Sequence, residues 1–363
     1  MKIVMVVRDD YRKISGGDLI YNQIIAEYLK SYGYDIKILS SKELNQKVKA
    51  DIVHLFQMYL IDSADSTWEW AKEQRVPLLI SPLYEDPLPY WFYNSIRTNQ
   101  LWKRISKLFG TLQTRRIYDL YHHKKLIIST EWKRQRRILA SAYWVPNSFY
   151  ELKHLQKWFR LRNQKYSVIP LGIDLNKFGG NSVNKYFSQW LISLGDIITQ
   201  VSRVEPRKNQ AALIEALAND SYPIVIVGKS NPNHPSYYDD VVELGEKRGN
   251  VYFIDYLDNI NLLEIYKHSK VHVLPSWSER PGMVTLEAAA CGCNVVSTVY
   301  SSIKEYLGDD AWYCYPECLD SILSSVKEAF DSPRNPYLPA KIREIFNARK
   351  TAERLISVYN QFV

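Results

Sequence analysis

The opening forty or so residues alternate between two patterns, and that alternation constrains the fold more than any other feature of the chain. Lys2–Val7 carries an unbroken apolar run, as expected of a strand buried on both faces. A polar loop over Arg8–Asp18 ends in Ser15-Gly16-Gly17. Leu19–Tyr32 then spaces its apolar residues as a helix does, with Leu19, Ile20, Ile24, Ile25, Tyr28 and Leu29 on one face. Gly33 stops that helix and Asp35–Leu39 reads as the next strand. Strand, helix and strand in such close succession predict an α/β layer architecture.

Further short apolar runs, each like a parallel strand, lie at Asp51–Phe56, Leu78–Ser81, Leu126–Ser129, Tyr143–Val145 and Ser167–Ile169. The pattern breaks over Asn176–Gln189, a polar stretch with paired glycines that reads as a domain connection. A second unit follows, with strands at Asp196–Ser202, Ile224–Val227, Val251–Ile254, Val271–Leu274 and Asn294–Ser297. Helices are expected at Gln210–Leu217, Val241–Lys247, Asn261–His268 and Met283–Cys291, and one or two amphipathic helices over Ala340–Asn360. A length of 363 residues also suits two domains. The expected division is residues 1–180 and 181–345. Two successive β/α domains place a ligand in the crevice between them, at the carboxyl ends of their strands.

Several classes are excluded early. No apolar run approaches the roughly 20 residues needed to cross a bilayer. Asp9 and Asp10 end the first apolar run too soon for a secretory leader, so a cytoplasmic location is expected. Cys291, Cys293, Cys314 and Cys318 all lie in the last quarter, which is no disulfide framework, and they read as reduced, packed thiols rather than a metal site. The net charge of +8 suits an anionic partner without choosing one.

Three loops carry residues suited to chemistry. In Leu274–Thr298, Glu279 follows a strand, Pro281 and Gly282 lead into a helix, and Glu287 lies within it. A helix N-terminus offers free N–H donors to a diphosphate, and carboxylates accept hydrogen bonds from vicinal hydroxyls. The same pattern also fits a Glu279 that only caps the helix and a solvated Glu287. In Ser202–Leu217, Arg203 and Lys208 form a sensible diphosphate clamp, or else a solvated basic loop. The Gly16-Gly17 pair permits close backbone approach to a phosphate or sugar, although many such pairs are only turns.

Taken in order, these pieces resemble the GT-B glycosyltransferases of the family 4 type, which transfer a sugar from a nucleotide-activated donor with retention of configuration. The resemblance rests on Pro170-Leu171-Gly172-Ile173-Asp174, on Arg203 with Glu205-Pro206-Arg207-Lys208-Asn209, on Val225–Gly228 and on the spaced pair Glu279 and Glu287. It implies two Rossmann-like β/α/β domains facing a central cleft, with an acceptor-side first domain, a donor-binding second domain and a final helix, 346–363, packed back on the first. By the same resemblance Arg203 and Lys208 bind the donor diphosphate and Glu279 contacts the donor sugar. Pro281, Gly282, Met283 and Val284 lie against sugar and phosphate, and Glu287 holds the ribose. Gly17 approaches the diphosphate, and Gly228 and Lys229 border the base. No cofactor beyond the nucleotide-diphosphate sugar and no essential metal are implied.

The chain departs from that family in places. Leu83 stands where many members have a histidine, so that role is vacant or filled by a neighbour such as Tyr84; His54 ends an earlier strand, from which it can point into the crevice, and reads equally well as a structural residue. Residues Arg97–Arg137 hold 12 Lys/Arg against Asp119 and Glu131, with Trp102, Ile105, Leu108 and Phe109 interleaved. A basic amphipathic helix of this kind fits an anionic membrane surface at the inner face of the cell membrane, or simply a solvated face. Nucleic acid is not expected, since no recognition motif accompanies the charge. The sequence thus points to a retaining hexosyltransferase acting on a glycan, glycolipid or lipid-linked acceptor. A transferase with a small soluble acceptor and a non-catalytic nucleotide-sugar binder are the other readings.

Overall fold

The computed structural model describes residues 1–12, 17–178 and 184–362. The chain divides into two compact units, Met1–Gly172 with Ala348–Val363, and Ile173–Asn347. The first begins with β1 (Lys2–Val7), α1 (Gly17–Ser31), β2 (Asp35–Ser40), β3 (Ile52–Phe56), α2 (Ile61–Gln74) and β4 (Leu78–Ser81). It continues with α3 (Leu88–Thr98), α4 (Gln100–Ile127), α5 (Thr130–Ser141), β5 (Tyr143–Trp144) and α6 (Phe149–Phe159). Its sheet runs β2-β1-β3-β4-β5, every pair parallel. The apolar runs of β1, β3 and β4 are buried almost throughout, as parallel strands covered on both faces must be.

The second unit contains α7 (Lys185–Leu194), β6 (Ile197–Val201), α8 (Gln210–Ala216), β7 (Ile224–Val227), α9 (Pro235–Arg248), β8 (Val251–Ile254) and α10 (Asn259–His268). Then come β9 (Ser269–Leu274), α11 (Met283–Ala290), β10 (Asn294–Thr298), α12 (Ile303–Leu307), β11 (Trp312–Cys314), α13 (Leu319–Asp331) and α14 (Leu338–Ile345). Its six-stranded parallel sheet runs β11-β10-β9-β6-β7-β8. The order reverses between β6 and β9, and a crevice opens beyond the carboxyl ends of strands at such a switch point. The last helix, α15 (Ala348–Tyr359), belongs to the first unit. There it packs along α1, Thr351 Oγ1 donates to Pro170 O at 2.9 Å, and Tyr32 Oη donates to Glu353 Oε1 at 2.8 Å.

Four expectations need correction. Leu126–Ser129 is no strand; its first residues close α4. Ser167–Ile169 only flanks β5, with Ser167 N donating to Trp144 O at 2.9 Å, and forms no strand. A short apolar run does not itself separate strand from helix end or sheet edge. The polar stretch Asn176–Gln189, which includes the undescribed 179–183, holds the start of α7, where Asn184 accepts from the amides of Tyr186 and Phe187 at 3.0 and 3.3 Å. In α4 the Trp102 ring does not join the exposed residues; it packs edge-on against buried Tyr118, with centroids 4.8 Å apart.

His54 is also settled. It is fully buried in β3, with Nδ1 2.7 Å from Tyr359 Oη of α15 and Nε2 2.9 Å from Ser81 Oγ of β4. It stacks on Phe56 at 4.2 Å. Both ring nitrogens are occupied, so His54 is a structural tie and does not fill the role left by Leu83. Burial holds its pKa down to about 3 against an ordinary 6.5. The folded state therefore refuses a proton that the unfolded chain accepts, and stability falls as pH drops below 6.5. This group alone removes about 1 kcal/mol between about pH 6 and pH 5. We expect His54→Gln to lower stability at neutral pH by about 2 kcal/mol through its lost hydrogen bonds, and to flatten the acid limb by that same amount of about 1 kcal/mol. Denaturant melts of both proteins across pH check this, and parallel acid limbs would refute the assignment.

Candidate functional site

The site is assembled where the loops after β6 and β9 leave the switch point. The loop after β6 runs through Ser202 and Arg203, makes a tight turn over Pro206–Lys208, and starts α8 from Asn209, whose φ is 62°. The loop after β9 runs from Pro275 through Glu279 to Gly282 and into α11. Backbone groups join the two. Trp277 N donates to Arg207 O at 2.9 Å, and Asn209 Nδ2 donates to Pro275 O at 3.2 Å and Pro316 O at 2.8 Å. Gln200 of β6 holds the turn from below, donating to Lys208 O at 2.8 Å.

This frame brings the Lys208 ammonium onto Glu279 Oε1. Both side chains are largely buried, at 12% and 7% exposure. Burial pulls the Lys208 pKa below its ordinary range, against the opposing pull of Glu279. Arg207 Nη1 lies 4.0 Å from the same carboxylate oxygen and donates to Ser278 O at 3.0 Å. Glu279 is thus an ion-pair partner inside the site, and Gly282, not Glu279, is the residue preceding α11. Gly282 has φ 94°, and a Cβ there would come 3.5 Å from Glu279 Oε2 and 3.3 Å from Thr285 Oγ1. Its missing side chain keeps the space between that carboxylate and the helix end open.

At the first turn of α11 the amides of Met283 and Val284 have no hydrogen-bond partner among the described residues. Pro281 is buried beside them. Glu287, one turn further on, is buried too, and Tyr266 Oη of α10 lies 3.4 Å from its Oε2. A solvated surface position is ruled out for it. Beneath the site, buried His272 of β9 pairs in register with Thr199 of β6; burial, with Lys208 adding to it, holds this imidazole near 3 as well.

Arg203 differs from Lys208. Its side chain is 60% exposed, and its guanidinium stands 3.8 Å from Glu205 Oε2. Glu205, which the sequence reading did not single out, is the buried brace of the loop. Arg207 donates to it at 3.1 Å and Asn231 at 2.6 Å. Burial alone would raise the Glu205 pKa, but Arg207, Arg203 and the Asn231 bond outweigh it and hold the carboxyl below its ordinary range. The signal for this brace was present as a carboxylate flanked by Arg203 and Arg207, but which cation it held depended on the turn.

One strand over, Gly228 directly follows β7. A Cβ there would lie 1.9 Å from Ser202 O, so only glycine lets the loops after β6 and β7 run side by side. Val204 N donates to Lys229 O at 2.9 Å, and Lys229 Nζ sits 5.7 Å from the Tyr256 ring centroid. The second unit therefore gathers Arg203, Lys208, Gly228, Lys229, Glu279, Pro281, Gly282, Met283, Val284 and Glu287 about one end of its sheet. Gly17 belongs to the first unit, where it opens α1, and Gly16 lies outside the described residues. All four cysteines are free thiols, and Cys293 donates to Tyr266 O at 2.9 Å. Among the described residues no three His, Cys, Asp or Glu side chains cluster as metal ligands, and no helix is long and apolar enough to cross a membrane.

A convergent cation pair beside free helix amides binds an anion, and nearby buried carboxylates accept hydrogen bonds from hydroxyls. The chain is also similar to known proteins. The family described as "Glycosyl transferases group 1" matches residues 184–353. The O-antigen chain mannosyltransferase B of Escherichia coli is 28% identical over 163 residues, covering 42% of this chain. The match spans only 40% of that protein's length. Among solved structures, sucrose-phosphate synthase from Thermosynechococcus elongatus aligns over 99% of this chain and 98% of its own, with a TM-score of 0.73 at 15% identity. Anabaena Alr3699/HepE, in complex with UDP and glucose, aligns over 99% and 100% with a TM-score of 0.67, also at 15% identity. At such identities the likeness speaks for the fold. Residues 184–353 therefore resemble a glycosyl transferases group 1 domain, within a chain that has the GT-B fold of two parallel-sheet α/β domains.

Proposed function

We propose that this chain is a retaining glycosyltransferase that moves a hexose from a nucleoside diphosphate sugar to a glycan or lipid-linked acceptor. The observation that carries the proposal is the buried Lys208–Glu279 pair at the β6/β9 switch point, beside exposed Arg203 and the free amides of α11. Breaking the bond from anomeric carbon to phosphate builds negative charge on the departing diphosphate and positive charge on the sugar. Arg203, Lys208 and the amides of Met283 and Val284 stabilise the first. The Glu279 carboxylate, ion-paired yet adjoining the gap at Gly282, orients donor hydroxyls. Glu287 takes the ribose hydroxyls, and Gly228 with Lys229 borders the base. Retention requires the acceptor to attack from the face the diphosphate leaves, and a phosphate oxygen then receives its proton. The UDP and glucose of the Anabaena structure support a nucleotide-sugar donor. The mannosyltransferase relative supports a hexose and a polysaccharide acceptor.

The first test is thermal stabilisation by UDP, GDP, ADP and dTDP. A ligand at 100 times its Kd adds about 2.7 kcal/mol to the folded state. One nucleotide should raise the melting temperature of the native chain, and Glu287→Gln should abolish the rise. No rise with any of the four, in a folded sample, would refute a nucleotide-sugar donor site.

Kinetic variants separate chemistry from folding. Arg203→Ala removes an exposed cation, so the melting temperature should stay constant while kcat/KM for sugar transfer falls about 100-fold. Glu279→Gln leaves Lys208 buried beside Arg207 without its counter-charge and should cost roughly 3–5 kcal/mol of stability. The double variant Lys208→Met/Glu279→Leu should regain most of that stability but no activity. An active double variant would show that the pair only holds the loops together.

A further inference from the structure

We propose that the exposed apolar residues about the Gly110 turn of α4, with their flanking cations, are a docking surface for an anionic phospholipid bilayer. The segment's charge is not uniformly available. Of its 12 Lys/Arg, Arg115 is paired with Asp119 at 2.8 Å and Arg134 with Asp62 and Asp65. Arg137 is paired with Asp65 at 2.7 Å, and Arg136 donates to Phe159 O at 3.0 Å. The remaining cations, Arg97, Lys103, Arg104, Lys107, Arg116, Lys124, Lys125 and Lys133, are exposed. None has an ion-pair partner among the described residues. All but Lys133 lie on α3 or α4.

The apolar residues beside those cations are exposed as well. Gly110, with φ 76° and ψ 160°, breaks α4 into two halves that fold back on each other, since Trp102 meets Tyr118 sixteen residues later at 4.8 Å. Leu101 and Leu108, two turns apart, share one face of the first half, and Leu108, Phe109 and Leu112 flank the turn between the halves. Leu108 and Leu112 are each 78% exposed and Phe109 59%. Leu120 and Tyr121 continue the exposed apolar residues beyond the kink. The facing sides of the two halves do the packing: Thr114 and Tyr118 of the second half are buried, and Trp102 of the first half and Phe92 of α3 close on Tyr118. The outward leucines are therefore not spare core residues. Exposed apolar side chains clustered about the Gly110 turn, bordered by unpaired lysines and arginines, match the boundary between acyl chains and anionic headgroups. The lysine and arginine stems lie along the apolar surface while their charges reach the headgroups. A nucleic acid would use the cations and leave the leucines in water. A second copy of this chain would bring cations against cations. Nothing in this surface depends on the donor site of the other unit.

The test is co-sedimentation of the full chain with vesicles of phosphatidylglycerol and phosphatidylcholine, against vesicles of phosphatidylcholine alone. Partition should be at least about 10-fold stronger onto the anionic vesicles and should weaken as salt rises. Leu108→Asn/Leu112→Asn and, separately, Lys103→Glu/Lys107→Glu should each lower it about 10-fold, with melting temperature and nucleotide stabilisation unchanged. Equal partition onto both vesicles, or no partition onto either, would overturn the proposal. So would full binding by the leucine variant, or a native dimer that dissociates on the leucine substitutions. Loss of nucleotide binding with vesicle binding intact would instead count against the donor site alone.

Discussion

A buried ammonium needs a fixed counter-charge, and the second unit is organised around meeting that need for Lys208. Taking either ion out of water costs several kcal/mol, which only a well-placed partner offsets. Glu279 comes from a loop 71 residues later in the chain. The two meet because β6 and β9 are hydrogen-bonded parallel neighbours whose carboxyl ends lie side by side. The bonds from Trp277 to Arg207 and from Asn209 to Pro275 then hold both loops in register. Glu205, Asn231 and Arg207 form a second layer of the same kind, and exposed Arg203 is steadied at its margin. The positive field is thus prepared before any ligand arrives, which is what stabilisation of a departing anion requires.

The first unit applies the same rule to a neutral group. His54 is buried as an uncharged imidazole and satisfied from both sides, by Ser81 of the neighbouring strand and by Tyr359 at the end of the chain. That pair of bonds is specific in a way apolar packing is not, since an unpaired ring nitrogen in the core costs free energy. It helps explain why α15, the last helix, belongs to the unit built from the first residues.

Electrostatics on the α4 face follow a different logic. A charge count over Arg97–Arg137 treats every arginine alike, whereas the fold commits Arg115, Arg134, Arg136 and Arg137 to partners inside the unit. What is left is a smaller set of free cations, concentrated beside leucines that the fold turns outward. Charge and apolar exposure coincide outside α4 because the facing sides of its two halves are used by Trp102, Thr114 and Tyr118.

Much of the architecture was legible in the residues. Unbroken apolar runs such as Ile224–Val227 read as strands covered on both faces, and Met283–Ala290 between Gly282 and Gly292 as a short helix, and both are so in the structure. The motif order already named Arg203, Lys208, Glu279 and Glu287, which the structure brings to one end of the second sheet. Less legible were α2, β11 and α13, whose patterns are short or polar, and Leu126–Ser129, where an apolar run ended a helix. Ile20, assigned by spacing to the inner face of α1, is 47% exposed, because adjacent turns leave little to distinguish it from Tyr21 and Asn22, which are buried. What the sequence by itself determined was the local order of strands, helices and polar loops, because hydrophobic periodicity and glycine placement act over a few residues. Only the tertiary structure decided that Lys208 pairs with Glu279, that Glu205 braces Arg207, that His54 is a tie, and which cations of α4 stay free. Each of those depends on partners far apart in the chain, brought within hydrogen-bonding reach by strand order and register rather than by any nearby residue.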